Sequence, residues 1–526
     1  MIKLKIVLFF FLFLTSFING YKILLYSPKM GHSALNFMSQ ITKLLINAGH
    51  DVVVISSNID PKLKDPYHLP GKIFFIEPSK EIVEMATNDE HVKNRWKSTT
   101  DIFGQRKMFK QMMESRRSLG IKIINDKKLE EFVLSQHFDL AIAESHLPYM
   151  FGLFKAWGIK STIAASPTVM LDHLYELFGI PFPASYMPSI VIGSTDRMSY
   201  KERAINLATY IFLVHLSDFT SEYFLLNDVL NEKYGKGFYE GNKIVTEASF
   251  VLINSNPFLD IPGPKSPKMI EISGIGKPKP LPVDKYFDEI LNRRNKTILI
   301  SFGSVAKSTF MEQDMKDGIL ETIKSFPDIT FIWKYETPED GHGKDIENLV
   351  LSKWIPQNDL LSDKRLTLFI THGGMGSTTE VAFNDVPALA IPVFGDQMRN
   401  AKLLERLEIG IAVEKDILRH PKQLREKILE ILNNEKYKIN SIRTAAMLQN
   451  RPISSEELIL KHVEFACRFG KLPMLDLASK DMGTIEYYNL DIIIPFFVVL
   501  IAILYGIIKL ACKLISKIFF TKVKIE

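Results

Sequence analysis

The chain has 526 residues, too many for one ordinary hydrophobic core. Its hydrophobic fraction of 46% and charged fraction of 24% exclude a disordered polymer and fit a folded, multi-domain protein. The formal net charge of +5 sits at the ends: residues 509–526 carry five lysines against Glu526 alone, and Lys3 and Lys5 lie at the start. The body between them is close to neutral, which removes the electrostatic case for nucleic-acid binding.

In chain order, the first segment has the layout of a secretory signal: basic Lys3 and Lys5, an apolar run from Ile6 to Leu14, and a mixed stretch ending near Gly20. Short apolar runs then alternate with helical patterns, the signature of parallel α/β sheets. The first series reads as strands at Lys22–Tyr26, Asp51–Ser56, Asp139–Ala143, Ser161–Ala165 and Phe250–Asn254. The second reads as strands at Thr297–Phe302, Ile329–Lys334, Leu366–Ile370 and Ala388–Pro392. A stretch with prolines at 257, 262, 264 and 267 separates the series and predicts a linker. Leu174 to Met187 is largely apolar and suits an acceptor pocket, a membrane contact or plain core. Asn295-Lys296-Thr297 is the chain's one glycosylation sequon, at Asn295. Ile492 to Ile508 is uncharged and apolar, and the lysines behind it predict a membrane helix with Pro495 in its first turn and its C-terminal side in the cytoplasm. Cys467 would be lumenal and Cys512 sits at the membrane edge, so no disulfide is predicted, and no metal-type cluster of Cys and His is present.

The most informative stretch is WIPQNDLLSDKRLTLFITHGGMGSTTEVAFNDVPALAIPVFGDQMRN, from Trp354 to Asn400. A strand running into His372-Gly373-Gly374 and then a helix makes an anion site from free N–H groups and the helix dipole. A second strand leads to Asp396 and Gln397 at the same sheet edge, where open α/β sheets bind ligands. Gly374-Met375-Gly376 also begins a dinucleotide fingerprint, but Thr379 stands at its third glycine position, which argues against a nicotinamide-dependent oxidoreductase.

This ordered stretch resembles the donor-sugar signature of the UDP-glycosyltransferases, of the UDP-glucuronosyltransferase-like kind found in nematodes and insects. The resemblance implies that Trp354 stacks on uracil, that Gln357 contacts the ribose side, and that His372 reaches the diphosphate. It further implies Gly374, Gly376 and Ser377 at the phosphates, Glu380 on the ribose hydroxyls, and Asp396 with Gln397 on the sugar. Gly376 stands where many relatives carry asparagine. Ser301-Phe302-Gly303-Ser304 resembles the family loop that approaches the diphosphate, with Ser304 as a donor contact and Phe302 in the core. The implied fold is two Rossmann-like domains facing a cleft, the B-type glycosyltransferase fold, plus a C-terminal transmembrane helix. The corresponding division is signal peptide 1–20, acceptor-binding domain 21–262, UDP-sugar-binding domain 263–488, transmembrane helix 489–512 and cytoplasmic tail 513–526.

The resemblance also implies a general base, a histidine at the tip of the first strand that takes the acceptor proton. In relatives reading G-H-S-H the second histidine is that base, and the matching position here is Ala34. The base then moves to His32, with Glu144 at the end of a later strand orienting it, or the chain is an impaired, UDP-sugar-binding accessory protein. The leading expectation is an inverting transfer of glucuronic acid or glucose from a UDP-sugar to a small lipophilic hydroxyl compound. It needs no cofactor beyond the UDP-sugar co-substrate and no metal, since no D-x-D occurs. Lys522 and Lys524 resemble a dilysine retrieval signal, which implies a single-pass protein of the endoplasmic-reticulum membrane with a lumenal body and a cytoplasmic tail. Assembly into homo-oligomers is left open.

Overall fold

The computed structural model describes residues 20–29, 31–60, 72–87, 93, 96–97, 102–216, 222–275 and 280–523. The expected signal segment and the last three residues of the lysine-bearing tail lie outside these.

Two all-parallel sheets form the framework. The first has the order β3-β2-β1-β4-β5-β6-β7, built from β1 (Lys22–Tyr26), β2 (Asp51–Ser57), β3 (Lys72–Ile76), β4 (Leu140–Glu144), β5 (Thr162–Ser166), β6 (Phe250–Ile253) and β7 (Met269–Glu271). The second has the order β10-β9-β8-β11-β12-β13, built from β8 (Lys296–Ser301), β9 (Ile329–Lys334), β10 (Leu349–Ser352), β11 (Leu366–Thr371), β12 (Ala388–Ala390) and β13 (Gly410–Ala412). The helices used below are α1 (His32–Asn47), α2 (Tyr149–Ala156), α3 (Gln357–Ser362), α4 (Met375–Phe383), α5 (Gln397–Arg406), α6 (Ser455–Phe469) and α7 (Leu490–Val523).

Strands buried on both faces explain the continuous apolar runs. In β1, Leu24 and Tyr26 join one core layer while Ile23 and Leu25 join the layer on the opposite face. In the second sheet, Ile298 and Ile300 face one layer and Leu299 the other. The apolar stretch from Leu174 to Met187 is absorbed in the first core, where Leu174, Phe178, Ile180, Phe182 and Met187 are all buried.

The first sheet runs past the expected division at 262/263. β7 pairs with β6, Val251 opposite Met269, and α6 returns to the same sheet. Ile459, Val463 and Ala466 of α6 pack with Ile23, Leu25 and Ile142. Ser161 Oγ donates to the Ala466 carbonyl at 2.8 Å, and Ser249 Oγ to that of Gly470 at 2.8 Å. The second body is thus an excursion of the chain between two parts of the first. The contacts that tie the bodies together include those of Trp96, Arg399 and Arg406. Trp96 is buried in the second core, with its Nε1 donating to the Lys307 carbonyl at 3.0 Å. Arg399 on α5 pairs with Asp260 at 2.6 Å, both largely buried, and Arg406 pairs with Asp196 at 3.0 Å.

α7 spans 34 residues, and the most apolar 18-residue window of its part Leu490–Lys517 has a mean hydropathy of 2.7, with none of it buried. It is long and apolar enough to cross a bilayer. Because the helix begins at Leu490, Pro495 falls in its second turn, not its first. Both cysteines are free thiols.

Candidate active site

The C-terminal edge of the second sheet gathers most of the expected donor residues. β11 ends at Thr371, and His372 follows with its ring wedged between two glycines. A Cβ on Gly303 would lie 2.6 Å from His372 Cε1, and one on Gly374 would lie 2.5 Å from His372 Nε2. Gly303 also has φ +80°, which an L side chain rarely adopts. Glycine at both places is therefore a steric requirement of seating this ring. His372 Nδ1 has no hydrogen-bond partner. Burial, and then the nearby Lys334 ammonium, push its pKa down to about 4, so the imidazole is neutral at physiological pH.

Lys334 is a site residue that sequence reasoning missed. It is the last residue of β9, beside β8, and its side chain is 10% exposed. Its Nζ donates to the Gly303 carbonyl at 2.5 Å and lies 5.8 Å from the centroid of the Trp354 ring. Burial lowers its pKa, and Glu336, 3.8 Å away, opposes that shift. A lone lysine closing the apolar run Ile329–Trp333 was the available signal, since strand C-termini form the ligand edge of such sheets.

α4 begins beside His372 with Gly374 as its N-cap and no side chain capping it, so its first N–H groups are left for another acceptor. Gly376 is exposed, with nothing within 4 Å of where a Cβ would stand. Gln357, the first residue of α3, joins two residues of α4. Its Nε2 donates to Ser377 Oγ at 3.2 Å and to Glu380 Oε2 in a short bond. Three expected donor residues thus meet as one network. Trp354 precedes α3 and is 64% exposed, a large aromatic face open to solvent. Ser304 is exposed in the turn after β8, while Phe302 is buried against Trp96.

Asp396 and Gln397 follow β12 at the same edge. Burial raises the pKa of Asp396, and a hydrogen bond from Asn400 Nδ2 at 2.8 Å opposes that. Gln397 is 4% exposed, and its amide oxygen accepts the N–H groups of Val393 and Phe394 at 2.9 and 3.1 Å. That oxygen shapes the turn, so a sugar contact from Gln397 falls to its NH₂.

Across from this edge lies the first sheet. His32 is the first residue of α1, partly buried, and both burial and then the Lys334 charge lower its pKa. Ala34 offers no proton acceptor. The expected pairing of Glu144 with His32 is not what the structure has. Glu144 ends β4, is 5% exposed, and its Oε2 lies 2.8 Å from Nε2 of His146. The reason is local: His146 is two residues on in the loop between β4 and α2 and folds back on the strand end. His173 stands close by, its pKa pushed down to about 4 by burial and then by His146. Asn295 is exposed in the turn before β8, while Thr297 of its sequon is wholly buried in that strand.

Residues 22–525 match the family described as UDP-glucoronosyl and UDP-glucosyl transferase. The chain belongs to this family. It is 26% identical to the UDP-glucuronosyltransferase ugt-47 of Caenorhabditis elegans, over 93% of this chain and 92% of the relative. It is 27% identical to UDP-glucuronosyltransferase 1A7 of the mouse, over 87% and 85% of the two chains. In fold it resembles the glycotransferase of kitacinnamycin, with a TM-score of 0.58 at 17% identity, covering 85% of this chain and 98% of that one. It also resembles LpCGTa, solved in complex with UDP, with a TM-score of 0.55 at 15% identity, covering 85% and 99%. The architecture is that of the B-type glycosyltransferases, and the family activity is sugar transfer from a UDP-sugar.

Proposed function

We propose that this family member transfers a glucuronosyl or glucosyl group, with inversion, from its UDP-sugar to a hydroxyl of a small lipophilic acceptor. The observation that carries this reading is the network of Gln357, Ser377 and Glu380 beside His372 at the start of α4. An aromatic face, a neutral imidazole, uncapped helix N–H groups and the Lys334 ammonium stand at one sheet edge, chemistry suited to a base and a diphosphate. The helix terminus and Lys334 supply the charge stabilisation that a metal would otherwise give, so no cofactor is invoked. Inversion follows from acceptor attack across the cleft, on the face of the anomeric carbon opposite the departing UDP.

A membrane-length helix supports a lipophilic acceptor, because such compounds concentrate in bilayers. We place the body in the lumen of the endoplasmic reticulum, with Asn295 open to glycosylation and the lysines after the span in the cytoplasm. Deleting residues 522–526 should then release the protein from the reticulum without altering membrane insertion; retention of the truncated protein there would sink the retrieval reading.

The test of function is a mass-shift screen of UDP-glucuronic acid and UDP-glucose against a panel of phenols. Conjugates with neither donor, in a protein that binds UDP, would favour the second reading, an accessory UDP-sugar-binding protein. Ala34 is the observation behind that alternative.

A further inference from the structure

We propose that His146, held by Glu144, is the general base of the transfer, in place of the histidine that Ala34 removes. The inference rests on the transferase reading above.

The geometry is that of a carboxylate–imidazole dyad. Glu144 ends β4 at the sheet's ligand edge, and its Oε2 meets His146 Nε2 at 2.8 Å. A carboxylate on one ring nitrogen keeps the proton there and leaves the lone pair on the other. That other atom, Nδ1, has no hydrogen-bond partner and is shielded from solvent, while 16% of the side chain reaches the surface. Nδ1 is thus the ring atom left to accept a proton.

Electrostatics separates His146 from His32. A general base becomes a cation as it works, so a neighbouring negative charge favours the step and a positive one opposes it. His32 faces the Lys334 ammonium and is the first residue of α1, at the positive end of that helix dipole. His146 has the Glu144 carboxylate in contact. The other groups around this dyad are His173, Arg116, Tyr149 and Tyr26. His173 stays neutral down to about pH 4 and adds no charge at neutral pH. Tyr26 and Tyr149 have raised pKa values, chiefly through burial, and stay protonated. Among these groups Arg116 is the cation; it is partly buried beside Glu144 and Tyr149, and its charge offsets part of the carboxylate's.

The step balances as follows. The acceptor O–H proton passes to Nδ1 of His146 as the acceptor oxygen forms its bond to the anomeric carbon. The bond from that carbon to the β-phosphate oxygen breaks, and UDP leaves with the electron pair. The imidazolium, neutralised by Glu144, later returns its proton to solvent.

The experiment uses the full chain in nanodiscs, with UDP affinity measured beside transfer to phenol and to the more acidic 4-nitrophenol. For His146→Gln, transfer to phenol should fall about 10²–10⁴-fold. UDP affinity should persist, the loss with 4-nitrophenol should be smaller, and the acid limb of the pH–rate profile should vanish. Added imidazole should restore part of the activity of His146→Ala. Glu144→Gln should move the acid limb, whereas His32→Ala should leave the phenol-to-nitrophenol ratio unaltered. Wild-type rates in His146→Gln overturn the proposal, as does a loss equal for both acceptors without imidazole rescue. A changed acceptor ratio confined to His32→Ala overturns it in favour of His32. A wild-type protein that binds UDP and transfers to no acceptor overturns it while sparing the donor site. Failure to bind UDP removes the transferase reading itself.

Discussion

Lys334 donates to the carbonyl of Gly303 at 2.5 Å, the same glycine whose missing side chain makes room for His372. One contact therefore fixes both a cation and a neutral imidazole at the mouth of α4. Lys334→Met should weaken UDP binding by about 1.5–3 kcal/mol, the range for hydrogen bonds to charged groups, while uridine affinity changes little. Calorimetric titration with UDP and uridine checks this; equal losses for the two ligands would mean that the lysine acts on the fold and not on the diphosphate.

Gly303→Ala and Gly374→Ala should each displace the His372 ring. Gly303→Ala should be the more damaging to stability, because the new side chain also meets a positive φ. Gly376→Ala, inside α4 with open space around it, should fold with an unchanged or slightly raised melting temperature. Thermal melts and UDP titrations on the three variants test the ranking.

The pH dependence of stability has a defined sign. His372 titrates near 4 when folded, against an ordinary value of 6.5. Between these values the unfolded chain binds a proton that the folded one refuses, so stability falls as pH drops from about 6.5 towards 4 and levels off below. His372→Gln should flatten that part of the profile. An unaltered slope in denaturant melts across this window would show that other groups set it.

Trp354→Ala should cost about 1–3 kcal/mol of UDP affinity, the range for aromatic stacking on a base, and Trp354→Phe should recover most of it. Its 64% exposure means that folding should be indifferent to either change. Unchanged UDP affinity in Trp354→Ala would remove this ring from the site.

Legibility in the sequence followed burial. The nine strands expected from apolar runs all exist, with ends within two residues. β3, β7, β10 and β13 were not visible, and these four are the outer strands of the two sheets. An edge strand is covered less completely, so its sequence is mixed: β3 leaves Phe75 52% exposed, and β10 has one buried residue in four. The donor stretch was legible because its residues lie within one contiguous stretch, Trp354 to Gln397, whose strands and helices return to the same sheet edge. Lys334 was hidden because it reaches the site from a strand outside that stretch. The partner of Glu144 was hidden because both His32 and His146 are short paths away, and only the fold of the loop after β4 chooses between them.

The return of α6 to the first sheet decides where this protein can be cut. A soluble fragment ended near residue 450, at the close of the second body, would uncover Ile23, Leu25 and Ile142 and lose the Ser161 and Ser249 contacts. Such a fragment should aggregate even though both sheets are complete in it. A fragment ended after Met482 keeps α6, the ion pair of Lys268 with Asp476 and the bond from Ser479 to the Gly179 carbonyl, and sheds only the segment that leads into α7 and α7 itself.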